Sequence, residues 1–222
     1  MSTEKTLEKL IDFADSALNN ANKSLVDLFS SMLASSKDME YVFDSNKKEI
    51  IDSVKYYGNI YDAATYVKSK LIDPKSAKHI ELKLTGINRN IESLNTTIKN
   101  GLAEHNSTDK EYVYMAWKNR PEEYFYVGRA KSKSRTNLAS HGNLLESLKQ
   151  ATFFSILIPP RSNKETIDNL EAAIITLIEY KTGVLPKYNK KMPKFKIDNL
   201  DCADERDSLF AMFSKLALEI QP

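Results

Sequence analysis

The residues best suited to chemistry lie in the second half of this 222-residue chain. Arg129-Ala-Lys131-Ser-Lys133-Ser-Arg135 carries four cations and no acid. Lys187-Tyr-Asn189-Lys190-Lys191-Met-Pro-Lys194-Phe-Lys196 carries five cations and no acid. Runs of this kind neutralise phosphates locally while the rest of the surface stays balanced, and the net charge here is only +2. The commoner use of such a run is a solvated lysine-rich loop. Close by in sequence stand Tyr112, Tyr114, Tyr124 and Tyr126, the helical acid Glu171, and His141, six residues beyond Arg135. Cys202, as the one cysteine, has no partner for an internal disulfide, and the three scattered histidines do not make a zinc site with it.

These residues need elements to position them, and the pattern changes character along the chain. Leu7, Ile11, Ala14, Leu18, Ala21, Leu25, Leu28 and Met32 recur in alternating steps of four and three, which predicts a long helix with one apolar stripe. Ile80, Leu84, Ile87, Ile91, Leu94 and Ile98 predict a second, opening at Asp73-Pro74. Two shorter helices are expected near 38–56 and 60–72, with a break at Gly58-Asn59. The heptad spacing suits a coiled-coil seam, within the chain as a bundle or across a homodimer through the N-terminal helices. From Gly101 to Asp109 the sequence turns polar, a candidate boundary. After it the period shortens. Glu111–Trp117 and Tyr124–Val127 read as a β-hairpin, followed by a helix over 134–149 and a strand over 152–158. A helix over 165–182 is closed by Gly183, and a last amphipathic helix is expected at about 205–220.

Five short motifs, the first of them a pair, occur in one order. Tyr112-Val-Tyr114 is followed, after eleven intervening residues, by Tyr126-Val-Gly128; then come Arg129-Ala-Lys131 with Arg135, the strand Phe154–Ile158, Leu170-Glu171 with Ile174 and Ile175, and Pro186-Lys-Tyr-Asn189. Over residues 111–191 this resembles the GIY-YIG nuclease superfamily. The segment Tyr126–Lys131 is especially similar to the N-terminal nuclease domain of the excision-repair nucleases, and the domain also resembles homing and restriction endonucleases. Tyr112 stands where the family has glycine, Arg135 lies seven residues after Gly128, one fewer than usual, and the interval from Glu171 to Asn189 is long.

The resemblance implies an α+β fold. A small three-stranded antiparallel sheet flanked by helices would span 108–197, preceded by an all-α bundle or coiled-coil region at 1–107 and followed by a packing helix at 198–222. It implies a metal-dependent endonuclease. Glu171 would be the ligand of one divalent cation, Mg²⁺ or Mn²⁺, ions that suit hard oxygen donors and retain waters. Tyr114 takes the place of the family's proposed general base, a role that needs a nearby cation because a phenol ordinarily titrates near about 10. Tyr126 would orient water or phosphate, Arg135 would clamp the non-bridging oxygens, and His141 would be a second proton carrier or phosphate contact. Gly128, Arg129, Lys131, Lys133, Asn189, Lys190 and Lys191 would face nucleic acid.

The expected partner is DNA, with RNA a second candidate, and repair, mobile-element cleavage and restriction or other defence are all compatible with the family. A private helical extension leans towards defence by analogy alone. The competing readings are a binding module that retains the fold without turnover, and an assembly protein led by its heptads. Apolar content of 41% and charged content of 28% argue for a folded chain. With no apolar run near the roughly 18 residues that span a bilayer, and no basic-then-apolar leader pattern, a cytoplasmic protein without a membrane partner is expected.

Overall fold

Short aromatic and β-branched runs become strands here because each finds a paired edge and two apolar faces. The computed structural model describes residues 3–34, 56–70, 78–86, 89–104, 111–118, 123–130, 142–159 and 164–191. In chain order the elements are α1 (Thr3–Ala34), α2 (56–70), β1 (Lys78–Lys83), α3 (Ile91–Glu104), β2 (Tyr112–Trp117), β3 (Tyr124–Ala130), α4 (Gly142–Gln150), β4 (Phe153–Ile158) and α5 (Lys164–Thr182). The fold is α+β, and the four strands form one antiparallel sheet in the order β1-β4-β2-β3.

Strand alternation sends side chains to two cores. On one face Val113, Met115, Trp117, Val127 and Leu157 pack with Ile167, Leu170, Ala173, Ile174 and Leu177 of α5, and with residues of α1 and α2. On the other face Tyr112, Tyr114, Ala116, Phe154, Ile156 and Ile158 pack beneath Leu94, Ile98 and Leu102 of α3 and Leu144 and Leu148 of α4. Central β2 is buried along its whole length, as a strand covered on both faces must be. Each fully buried aliphatic side chain contributes about 1.5–3 kcal/mol, so the sheet is held chiefly from above and below.

Three expectations change. Residues 78–83 form a strand, not the first turns of a long helix: Ile80, Leu82 and Leu84 also alternate, and the open edge of β4 pairs with that alternation from Lys78↔Ile158 to Lys83↔Phe153. The helix begins later, where the Asn90 side chain accepts from Ser93 N–H at 2.8 Å as an N-cap. The sheet therefore has four strands instead of three, and the region before residue 107 is not all helical. Gly58-Asn59 does not break α2, which runs through it.

One face of α1 packs within the chain, and of the expected stripe Ala14 and Ala21 lie on it. Leu10, Ala14, Ala17 and Ala21 are buried against Ile60, Ala63, Ala64 and Val67 of α2 and against the α5 side of the sheet. Alanines at the contact let the helix axes approach closely. Polar ties fix the arrangement: Lys68 pairs with Asp15, Tyr66 Oη donates to Thr166 O at 3.1 Å, and Lys181 Nζ lies 4.8 Å from the Phe13 ring centroid. The expected helices at 38–56 and 205–220 and the cap at Asp73-Pro74 lie outside the described residues, apart from the first residue of α2. Among the described residues no helix is long and apolar enough to cross a membrane.

Candidate active site at the edge of the sheet

The hairpin register brings the first two motifs together. Tyr114 pairs directly with Gly128, and Ala116 with Tyr126, so Tyr114, Tyr126 and Gly128 share one face of β2 and β3. The tyrosine rings lie 6.1 Å apart, and Tyr114 stacks on Phe154 at 5.4 Å. Gly128 is the space they occupy. A Cβ at this position would lie 2.7 Å from Cζ and Oη of Tyr114 and 2.7 Å from Cε1 of Tyr126. Its backbone is not left-handed; among the described glycines only Gly183, closing α5, has a positive φ, of 73°. Gly128 is thus required by the rings above it and not by a turn of the chain.

The two hydroxyls differ in environment. Tyr114 is 4% exposed and its hydroxyl shares a hydrogen bond with that of Tyr126. Burial, then the proximity of Tyr126 and Glu171, push its hydroxyl far above the ordinary phenol range. Tyr126 is half-buried on edge strand β3. Burial and Glu171 raise it as well, but the hydrogen bond with Tyr114 and the positive charge of Arg129 oppose the rise. Beside them, burial pushes the Tyr112 hydroxyl up to about 12.

On the opposite side of β3, the side that Val127 shares with α5, Arg129 spans two acids of that helix. Its Nη1 lies 2.5 Å from Glu171 Oε2 and its Nε 3.0 Å from Asp168 Oδ1. The acids stand three apart and so on one helical face. The Glu171 side chain is only 14% exposed, against 33% for Arg129. The charge of Glu171 nevertheless contributes to raising both tyrosine hydroxyls from across the edge strand.

Asn189 is a clamp. Its Oδ1 accepts from Val127 N–H and its Nδ2 donates to Val127 O, both at 2.9 Å, as a neighbouring strand would. Tyr188 N–H donates to Phe125 O at 2.8 Å. Lys187 Nζ reaches Gln150 Oε1 at 2.8 Å, and Gln150 Nε2 donates to Tyr188 Oη at 2.5 Å. The closing segment is thereby laid along β3, leaving Lys190 and Lys191 beyond it, both exposed.

Of the residues expected in a site, Tyr114, Tyr126, Gly128, Arg129, Glu171 and Asn189 gather around β3. Arg135, His141, Lys131 and Lys133 lie outside the described residues. Two participants are not evident from the motifs. Asp168 is the second partner of Arg129, and its spacing from Glu171 is the available signal. Phe154, the ring on which Tyr114 rests, carries no signal beyond its place in a strand. The carboxylate of Glu171 suits an oxygen-seeking divalent cation. Among the described residues no cluster of three or more His, Cys, Asp or Glu adds to it. A single carboxylate is compatible with an ion that keeps most of its waters, as Mg²⁺ and Mn²⁺ do. The chain matches no protein-family model, no curated protein and no solved structure.

Proposed function

We propose that this chain is a metal-dependent nuclease of the GIY-YIG kind that hydrolyses DNA phosphodiester bonds. The observation that carries the reading is the pair of tyrosines closed over Gly128 and within the electrostatic reach of Glu171, in a segment whose motif order resembles that family. Glu171 would hold Mg²⁺ or Mn²⁺, which when bound supplies charge neutralisation at the phosphate and at the leaving oxygen. Tyr126, the less buried hydroxyl and the one whose rise Tyr114 and Arg129 oppose, is better placed than Tyr114 to take a proton from the attacking water. That role requires the charge of the bound ion to bring its raised hydroxyl down. Tyr114 holds it there, and Phe154 holds Tyr114. Arg129, Lys190 and Lys191 supply positive charge for the phosphate backbone. Arg135, Lys131 and Lys133 carry further cations in the same stretch of sequence. Restriction or another defence role is the biological setting proposed.

A second reading has its own support. The guanidinium of Arg129 lies on the carboxylate that a metal would need, as it would in a protein that binds nucleic acid without cutting it. Supercoiled plasmid, linear DNA and RNA, each incubated with Mg²⁺, Mn²⁺ or chelator, separate the two. Chelator-sensitive cleavage that disappears in Glu171→Ala is expected. Salt-dependent binding without cleavage by the wild-type chain would establish the second reading instead.

A further inference from the structure

We propose that Arg129 is a competitor built into the metal site: its guanidinium occupies Glu171, and a divalent ion binds there only by displacing it. The proposal rests on the nuclease reading, and it concerns how that site is controlled. Two carboxylates three residues apart on α5 would repel one another if left alone on a partly buried surface. The guanidinium relieves this by bridging both, with Nη1 hydrogen-bonded to Glu171 and Nε in an ion pair with Asp168 at 3.0 Å. Because the Glu171 side chain is largely withdrawn from water, the attraction is less screened than at an open surface. A divalent cation at the same carboxylate meets a fixed positive charge. Asp168 then has a distinct role. By holding Nε, it keeps Arg129 at the edge of the site when Nη1 is displaced, within reach of an incoming phosphate. Asp168 is a positioning residue, and Arg129 sets the threshold for metal.

The full-length chain is titrated with Mn²⁺ alone in a calorimeter at neutral pH, with folding checked by circular dichroism. Arg129→Gln removes the competing charge and keeps hydrogen-bonding capacity. It is expected to tighten Mn²⁺ binding by roughly ten- to a hundredfold, the worth of one charge-assisted hydrogen bond. Arg129→Lys, whose ammonium cannot fork both acids, should fall between that variant and wild type. Adding Glu171→Gln to Arg129→Gln should abolish the gain. If Arg129→Gln does not fold, Arg129→Lys decides: tighter binding supports competition, and unchanged or weaker binding overturns it. Glu171-dependent Mn²⁺ binding that does not tighten when Arg129 is replaced overturns the proposal and leaves the nuclease reading standing. Absence of Glu171-dependent Mn²⁺ binding in every variant overturns both.

Discussion

Arg129 Nη1 lies 2.5 Å from Glu171 Oε2, joining edge strand β3 to helix α5. With one side chain 33% exposed and the other 14%, this is neither an open surface pair nor a dry internal one. A double-mutant cycle with Arg129→Gln and Glu171→Gln in urea is expected to give a coupling of about 1 kcal/mol, discounted for solvent. Asp168→Asn should cost less, because that acid is 32% exposed. A coupling indistinguishable from zero would remove the pair from the forces holding α5 to the sheet.

Gly128→Ala tests the closure of the tyrosine pair. The added methyl group would sit 2.7 Å from Tyr114 and from Tyr126, so the rings must move. A loss of about 1–3 kcal/mol is expected from overpacking, read from the urea midpoint. In a Tyr114→Leu background the same substitution should cost clearly less. An equal cost in both backgrounds would place the obstacle in the backbone.

The tyrosines predict an alkaline limit to stability. Tyr112 is raised from the ordinary 10.0 to about 12, and Tyr114 is raised further by burial. A group whose folded value exceeds its unfolded value stabilises fully below the unfolded value, and that stability is lost as pH rises towards the folded one. Above pH about 10 the unfolded chain releases these protons while the folded chain keeps them, so stability falls with pH. Circular dichroism, with tyrosinate absorbance as a second signal, should show unfolding that begins above pH about 10 and shifts upward in Tyr112→Phe. No shift in that variant would contradict the assignment.

The two catalytic candidates should separate. Tyr126→Phe removes the proposed proton acceptor, and nuclease activity should fall about 10²- to 10⁴-fold. Tyr114→Phe leaves the acceptor and removes only the hydrogen bond to it, so the loss should be smaller. Below the Tyr126 value, the wild-type rate is expected to rise with pH. Equal losses in the two variants, or a larger loss in Tyr114→Phe, would return the role to Tyr114.

Asn189→Ala removes both bonds to Val127. About 1–2 kcal/mol of stability should be lost, concentrated in the closing segment. Hydrogen exchange at the Val127 amide is the direct readout. Unchanged protection there would mean that the backbone bonds of Lys187 to Tyr124 and of Tyr188 to Phe125 hold the segment to β3 without it.

The elements that carry local signals are legible in the sequence. The aromatic runs mark the hairpin β2–β3, the apolar periodicity marks α1 and α5, and Gly183 marks the end of α5 where its positive φ is found. Tyr114, Tyr126, Gly128, Arg129, Glu171 and Asn189 can be singled out by motif order without knowledge of packing, and the structure places these six around β3. Lys78–Lys83 is not. Its apolar spacing serves either a helix or a strand, and only the open edge of β4 settles which.

Residue type and spacing alone determined which side chains this protein has available for chemistry, and that Tyr114 and Tyr126 stand on the two strands of one hairpin. Tertiary structure decided their relations. That Tyr114 is sealed against Phe154 while Tyr126 is less buried follows from β3 being the edge strand, a matter of strand order. That Arg129 faces acids instead of solvent follows from α5 crossing β3 on the face Val127 shares. That α1 buries its alanines inside the chain depends on α2 and α5 lying where they do. Local periodicity fixes which face of an element is apolar; only the packed chain fixes what that face meets, because long-range burial and charge pairing are properties of the assembled core.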